Sequence, residues 1–60
     1  MIRIALCEDQ MLQRDVLKDM LLDYKNKKHL SCVIDAYPDG KDLMEAYRKG
    51  KRYHIYLLDV

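Results

Sequence analysis

The chain has 60 residues and a mass of 7.2 kDa, so it buries only about 60% of the surface its unfolded form exposes and holds one small domain at most. Eleven Lys and Arg stand against ten Asp and Glu, a net charge of +1 that excludes an acidic tail and speaks against nucleic acid as a partner of this segment. Hydrophobic residues are 50% and charged ones 35%, which is the composition of a folded chain and excludes intrinsic disorder.

The first run, Ile2 to Cys7, is short, mostly apolar and followed at once by Glu8 and Asp9. It reads as a buried parallel strand. A helix is expected over 10–25, with Leu12, Val16, Leu17, Met20, Leu21 and Tyr24 on one amphipathic face. Asp9 is placed to cap that helix or to set charge at its start, and Lys25, Lys27 and Lys28 suit its end. Leu30 to Tyr37 reads as a second strand, interrupted by Asp35. Tyr37-Pro38-Asp39-Gly40 is turn chemistry, with Asp39 as a cap. A second helix follows from about Lys41 to Lys49, with Leu43, Met44 and Tyr47 as its apolar stripe and Gly50 as its stop. Ile55 to Val60 is the last strand, nearly all apolar and interrupted only by Asp59.

The order β-α-β-α-β predicts an α/β fold, with a parallel sheet joined by right-handed crossovers. The chain ends on an apolar residue at the close of a strand, so it is expected to be part of a larger α/β domain. No apolar run approaches the ~20 residues that span a bilayer, so no membrane partner is expected. MIRIALCED lacks the long apolar region and cleavage site of a secretory signal. Two cysteines form no disulfide framework, and Cys7 and Cys32 are expected to be buried free thiols in a reducing cytoplasm.

Chemistry is expected at the acids. In an open parallel sheet, ligands bind beyond the carboxyl ends of the strands, where the winding reverses. With strands one and three adjacent, Glu8, Asp9 and Asp59 converge on one crevice. Each acid alone is more often a cap or a strand end. Three together repel, and a hard divalent cation such as Mg²⁺ relieves that repulsion through oxygen ligands.

The pattern IRIALCED, a helix, a strand ending at YPDG, a short helix and then YHIYLLDV resembles the first half of a response-regulator receiver domain. The resemblance spans all 60 residues. It implies a flavodoxin-like doubly wound parallel sheet, strand order 2-1-3-4-5, of which β1-α1-β2-α2-β3 is present. It also implies that Glu8 and Asp9 are the acidic pair that helps hold Mg²⁺. Asp59 is then the aspartate that accepts a phosphoryl group from a sensor histidine kinase, as part of two-component signalling. The chain would be a phosphoacceptor with no independent turnover. The Glu-Asp form of the pair is similar to receivers of LytTR-type transcription regulators, whose DNA-binding output would lie outside this chain. The family's Ser/Thr after strand four and Lys after strand five have no positions here.

A haloacid-dehalogenase-like phosphatase is a second reading, since its nucleophilic Asp also closes an apolar strand. That motif sits near a domain's start, however, whereas 58 residues precede Asp59, and it leaves Glu8 and Asp9 without a role. A structural piece without chemistry is the third. His29 and His54 are expected to be ordinary surface or boundary residues, and Met11, Met20 and Met44 core or rim filler. Strand three is expected at the sheet edge with the two helices on opposite faces. Self-association, or pairing with the missing half of the domain, is the expected consequence.

Overall fold

The computed structural model describes residues 1–58. Three strands and two helices alternate along the chain: β1 (Ile2–Cys7), α1 (Met11–Lys28), β2 (Cys32–Tyr37), α2 (Gly40–Arg48) and β3 (Ile55–Leu58). The sheet is open and all-parallel, in the order β2-β1-β3. The chain is therefore α/β, with the strand order expected for the start of a doubly wound sheet. Among the described residues no helix is long and apolar enough to cross a membrane.

Register sorts the side chains onto two faces, because successive strand residues alternate. Ile2, Ile4 and Leu6 align with Cys32, Ile34 and Ala36 on one side, and Ile4 and Leu6 with Ile55 and Leu57 on the other. Leu17 and Leu21 of α1 pack over this face. On the opposite face Ala5 and Cys7 bury against Leu43 of α2, with Tyr37 and Tyr53 at the margin. The helices thus lie on opposite faces. Among the described residues burial is densest in the second half of β1 and just past it, at Ala5, Leu6, Cys7 and Glu8, with Cys32 and Leu43 buried beside them.

α1 differs from expectation in three ways. It begins at Met11 after Gln10, whose side chain makes no capping bond, so Asp9 is not its cap. It runs on to Lys28, because its last carbonyls are satisfied by a left-handed turn at His29. There the amide of His29 donates to the Asn26 carbonyl and that of Leu30 to the Lys25 carbonyl. Its apolar stripe is also only partly covered. Leu17 and Leu21 meet the sheet, while Leu12, Val16 and Met20 remain 77%, 56% and 62% exposed. The half-buried flank instead includes Arg14, Lys18 and Lys25, of which Lys25 lines an apolar trough beside Leu21 and Tyr24. Met11, Met20 and Met44 are exposed and fill no core, and Tyr47 is likewise exposed on α2.

α2 starts at an N-cap, Asp39, whose carboxylate accepts from the Asp42 amide at 2.8 Å. At its far end Gly50 takes φ 102°, which L side chains rarely adopt. Arg52 closes the same end, stacking its guanidinium 3.7 Å from the Tyr47 ring centroid and donating to the Tyr47 carbonyl at 2.7 Å. Replacing the cap, Asp39→Ala, is expected to cost about 1 kcal/mol. The measurement is a chemical-denaturation midpoint, which should fall in Asp39→Ala and largely recover in Asp39→Ser.

Candidate functional site

The carboxyl ends of the three parallel strands share one edge of the sheet. β1 ends at Cys7, β2 at Tyr37 and β3, as far as it is described, at Leu58. Cys7 aligns with Tyr37 on one side and with Leu58 on the other. Glu8 continues the pairing with β2, its amide donating to the Tyr37 carbonyl at 3.1 Å.

The Glu8 side chain is 1% exposed. Its Oε1 accepts from the Gln10 amide at 3.1 Å, at the start of α1, where the helix end carries partial positive charge. The Arg14 guanidinium donates to the Glu8 carbonyl at 3.0 Å and so ties the first turns of α1 to this edge. Asp9 is exposed beside it. Asp39 joins the same edge from the end of β2. Asp39 was legible only as a helix cap, although it stands two residues past the end of β2.

Cys7 reports the local field. Burial pushes its thiol above the ordinary value of 9.0, and the charges of Asp39, Glu8 and Asp9, in that order, push it further. Three carboxylates therefore act together on one buried atom. Glu8 and Asp9 supply hard oxygen donors at this edge, and that donor chemistry fits Mg²⁺. Among the described residues no group of three or more His, Cys, Asp or Glu is arranged to hold a metal. Asp59, the expected third ligand and phosphoryl acceptor, lies outside the described residues.

Cys7 and Cys32 are both buried and free. They lie on neighbouring strands, but Cys32 aligns with Ile2, five residues from Cys7 and on the other face. That offset is roughly 16 Å along the strand, far beyond disulfide reach.

A second cluster was not foreseen. The Tyr53 hydroxyl donates to Asp35 Oδ2 at 2.6 Å, so the Tyr37 hydroxyl donates to Tyr53 in turn. Lys51 Nζ lies 3.6 Å from the same Asp35 oxygen. These partners explain how an acid sits inside a strand. The Tyr53 ring packs edge-on against Tyr37 and Tyr56, with the Arg3 guanidinium 5.6 Å from its centroid. His54 also does more than mark a boundary. Its Nδ1 accepts from the Arg3 amide at 2.9 Å while its own amide donates to the Arg3 carbonyl at 2.8 Å. This pair extends the β1–β3 ladder by one rung.

Comparison with family models, with curated proteins and with solved structures finds no match.

The titrations carry a prediction. Tyr53 is pushed well above its ordinary value of 10.0, first by burial and then by its bonds to Asp35 and Tyr37. For Cys7 and Tyr53 alike, the folded chain holds the proton more tightly than the unfolded one. Their contribution is therefore complete below the ordinary values of 9.0 and 10.0, and it falls as pH rises beyond them. Denaturation midpoints measured from neutral to alkaline pH should decline first above 9.0 and again above 10.0. Tyr53→Phe should remove the second decline and leave the first.

Proposed function

We propose that the chain is the β1-α1-β2-α2-β3 portion of a response-regulator receiver domain. In this reading Asp59 accepts a phosphoryl group from a sensor histidine kinase in the cytoplasm. The observation that carries the reading is the pairing of Cys7 with Leu58, because in the sequence each is followed directly by an acid, Glu8 and Asp59. Asp39, two residues past the end of β2, adds a further acid to the same edge.

An Asp59 carboxylate oxygen attacks phosphorus. The P–N bond to the kinase histidine breaks, its electron pair stays on the imidazole nitrogen, and an acyl phosphate forms. Glu8, Asp9 and Asp59 would hold Mg²⁺, which when bound offsets charge on the phosphoryl oxygens. The Gln10 amide holds the Glu8 carboxylate and Arg14 holds its carbonyl, which supports reading Glu8 as a fixed member of such a site. Asp9, being exposed, is the member that meets solvent and incoming groups. Phosphorylation adds close to two negative charges, the kind of change that biases a two-state element in a complete domain. Transcriptional output of the LytTR type belongs to this same reading.

Calorimetric titration with Mg²⁺ tests the acidic edge. Weak binding is expected for the unaltered chain and none for Asp9→Ala/Asp59→Ala. Equal binding by both refutes the site. Acetyl phosphate with Mg²⁺, followed by mass spectrometry, tests the acceptor. A single label of low yield is expected on Asp59, absent from Asp59→Asn. A stable label on Ser, Thr or Tyr that survives in Asp59→Asn refutes the assignment.

A further inference from the structure

Among the described residues β3 is joined to β1 over a short stretch, from the pair Ile4 with Ile55 to the pair Cys7 with Leu58. One further rung closes the open end of this ladder, and a side chain builds half of it. The His54 amide donates to the Arg3 carbonyl at 2.8 Å, and the Arg3 amide donates to His54 Nδ1 at 2.9 Å. Arg3 is half-buried and His54 is exposed, so the accepting ring is open to protons from solvent.

A ring nitrogen that accepts carries a free lone pair, so the proton of this neutral imidazole sits on Nε2. Uptake of a second proton makes both ring nitrogens donors. Nδ1 then faces the Arg3 amide donor to donor, and the rung loses one of its two bonds. An imidazole ordinarily makes this change within about a unit of pH 6.5. A backbone carbonyl or an Asn side chain in the same place would accept throughout that range.

The charged groups around the rung belong to several elements. β1 brings the Arg3 guanidinium, which lies over the Tyr53 ring, and the amino group of Met1 stands two residues before it. The segment after α2 brings Lys51 and Arg52, with Arg52 turned to the Tyr47 ring and carbonyl. α1, on the other face, brings Lys25 to the trough that Ile55 lines. β2 brings Asp35, whose carboxylate is engaged by Tyr53 and Lys51. In β3 the Tyr56 hydroxyl accepts from the Tyr53 amide at 3.4 Å. Protonation of His54 thus adds a cation to a stretch that already carries Lys51 and Arg52 and is paired with Arg3.

We propose that His54 is a pH-operated clasp on the start of β3. The neutral ring closes the rung, and the protonated ring opens it. The bond is complete above the imidazole range and is lost as pH falls through it. Tyr53 keeps its bond to Asp35 in either state, so the opening is local to the junction of His54 and Ile55 with β1. The clasp uses neither Asp59 nor Mg²⁺, so it stands or falls separately from the proposed function.

Nitrogen-15 spectra of the imidazoles and amide-exchange protection, both followed in the unmodified chain from about pH 8 down to about pH 5.5, test it. At the upper end His54 should hold its proton on Nε2 and none on Nδ1. Protection at the Arg3 and His54 amides should fall about two- to tenfold as the ring titrates, the size of one hydrogen bond. Protection at Leu6 should hold. His54→Asn keeps an acceptor that does not titrate, so protection at Arg3 should persist to the lower end. His54→Ala should show the low value at both ends. A neutral ring protonated on Nδ1 overturns the proposal, as does protection that ignores the titration. An equal fall in His54→Asn also overturns it, because another group is then responsible. Should His54→Ala unfold, the unmodified chain and His54→Asn decide between them.

Discussion

Parallel pairing on both sides of β1 is the constraint on which the rest of the structure depends. From Ile4 to Cys7 the strand has a partner on each flank, so its backbone has no wet edge and its side chains meet a helix above and another below. Ala5 and Cys7 turn to Leu43, and Leu6 turns to α1. A slip of one residue would exchange the two faces and set Leu6 against α2. The register is therefore held by packing as well as by hydrogen bonds. Because all three strands run the same way, their carboxyl ends share one edge. Acids far apart in sequence are brought there by topology, with no local signal required.

That edge carries an electrostatic cost. Glu8 is buried, and Asp39 and Asp9 act with it on the Cys7 thiol. Burying a carboxylate is expensive unless hydrogen bonds and opposite charge support it. Part of that support is present. The Gln10 amide donates to Glu8, and Arg14 brings its cation to the Glu8 carbonyl.

Three apolar runs marked the strands, and their alternation with helices marked the sheet as parallel, while the order β2-β1-β3 was expected only from the resemblance to receiver domains. Asp39 as a cap and Gly50 as a stop were legible from local chemistry. The covered side of α1 was not. Six apolar residues define a stripe, but which part of it meets the sheet depends on how the helix lies across the strands. Arg14 and Lys25, unremarkable in sequence, share the half-buried flank that Leu12 does not. The Tyr53 cluster was hidden for another reason. Tyr53 follows a run of basic residues and reads as loop, while Asp35 and Tyr37 lie 18 and 16 residues earlier. Of the candidate site, Glu8 and Asp9 were legible as acids beyond a strand. The burial of Glu8 was not, since it depends on the return of α1 over the sheet.

Helix and strand dimensions explain why β3 stays bare. A helix is about 10 Å across, and neighbouring strands are about 4.8 Å apart. One helix therefore covers roughly two strands. Each face of this sheet has one helix and three strands, so one strand is left uncovered on each face among the described residues. On the α1 side that strand is β3, separated from the helix by the apolar troughs. The exposed stripe of α1 shows the same deficit from the helix side. Two apolar surfaces meeting at an open angle behave as half of a packed layer. Their burial is worth about 25 cal/mol per Å², a large amount against the small net stability of any chain this size. Met20 of that stripe and Leu57 and Leu58 of β3 line the same trough, so helix flank and strand edge meet there.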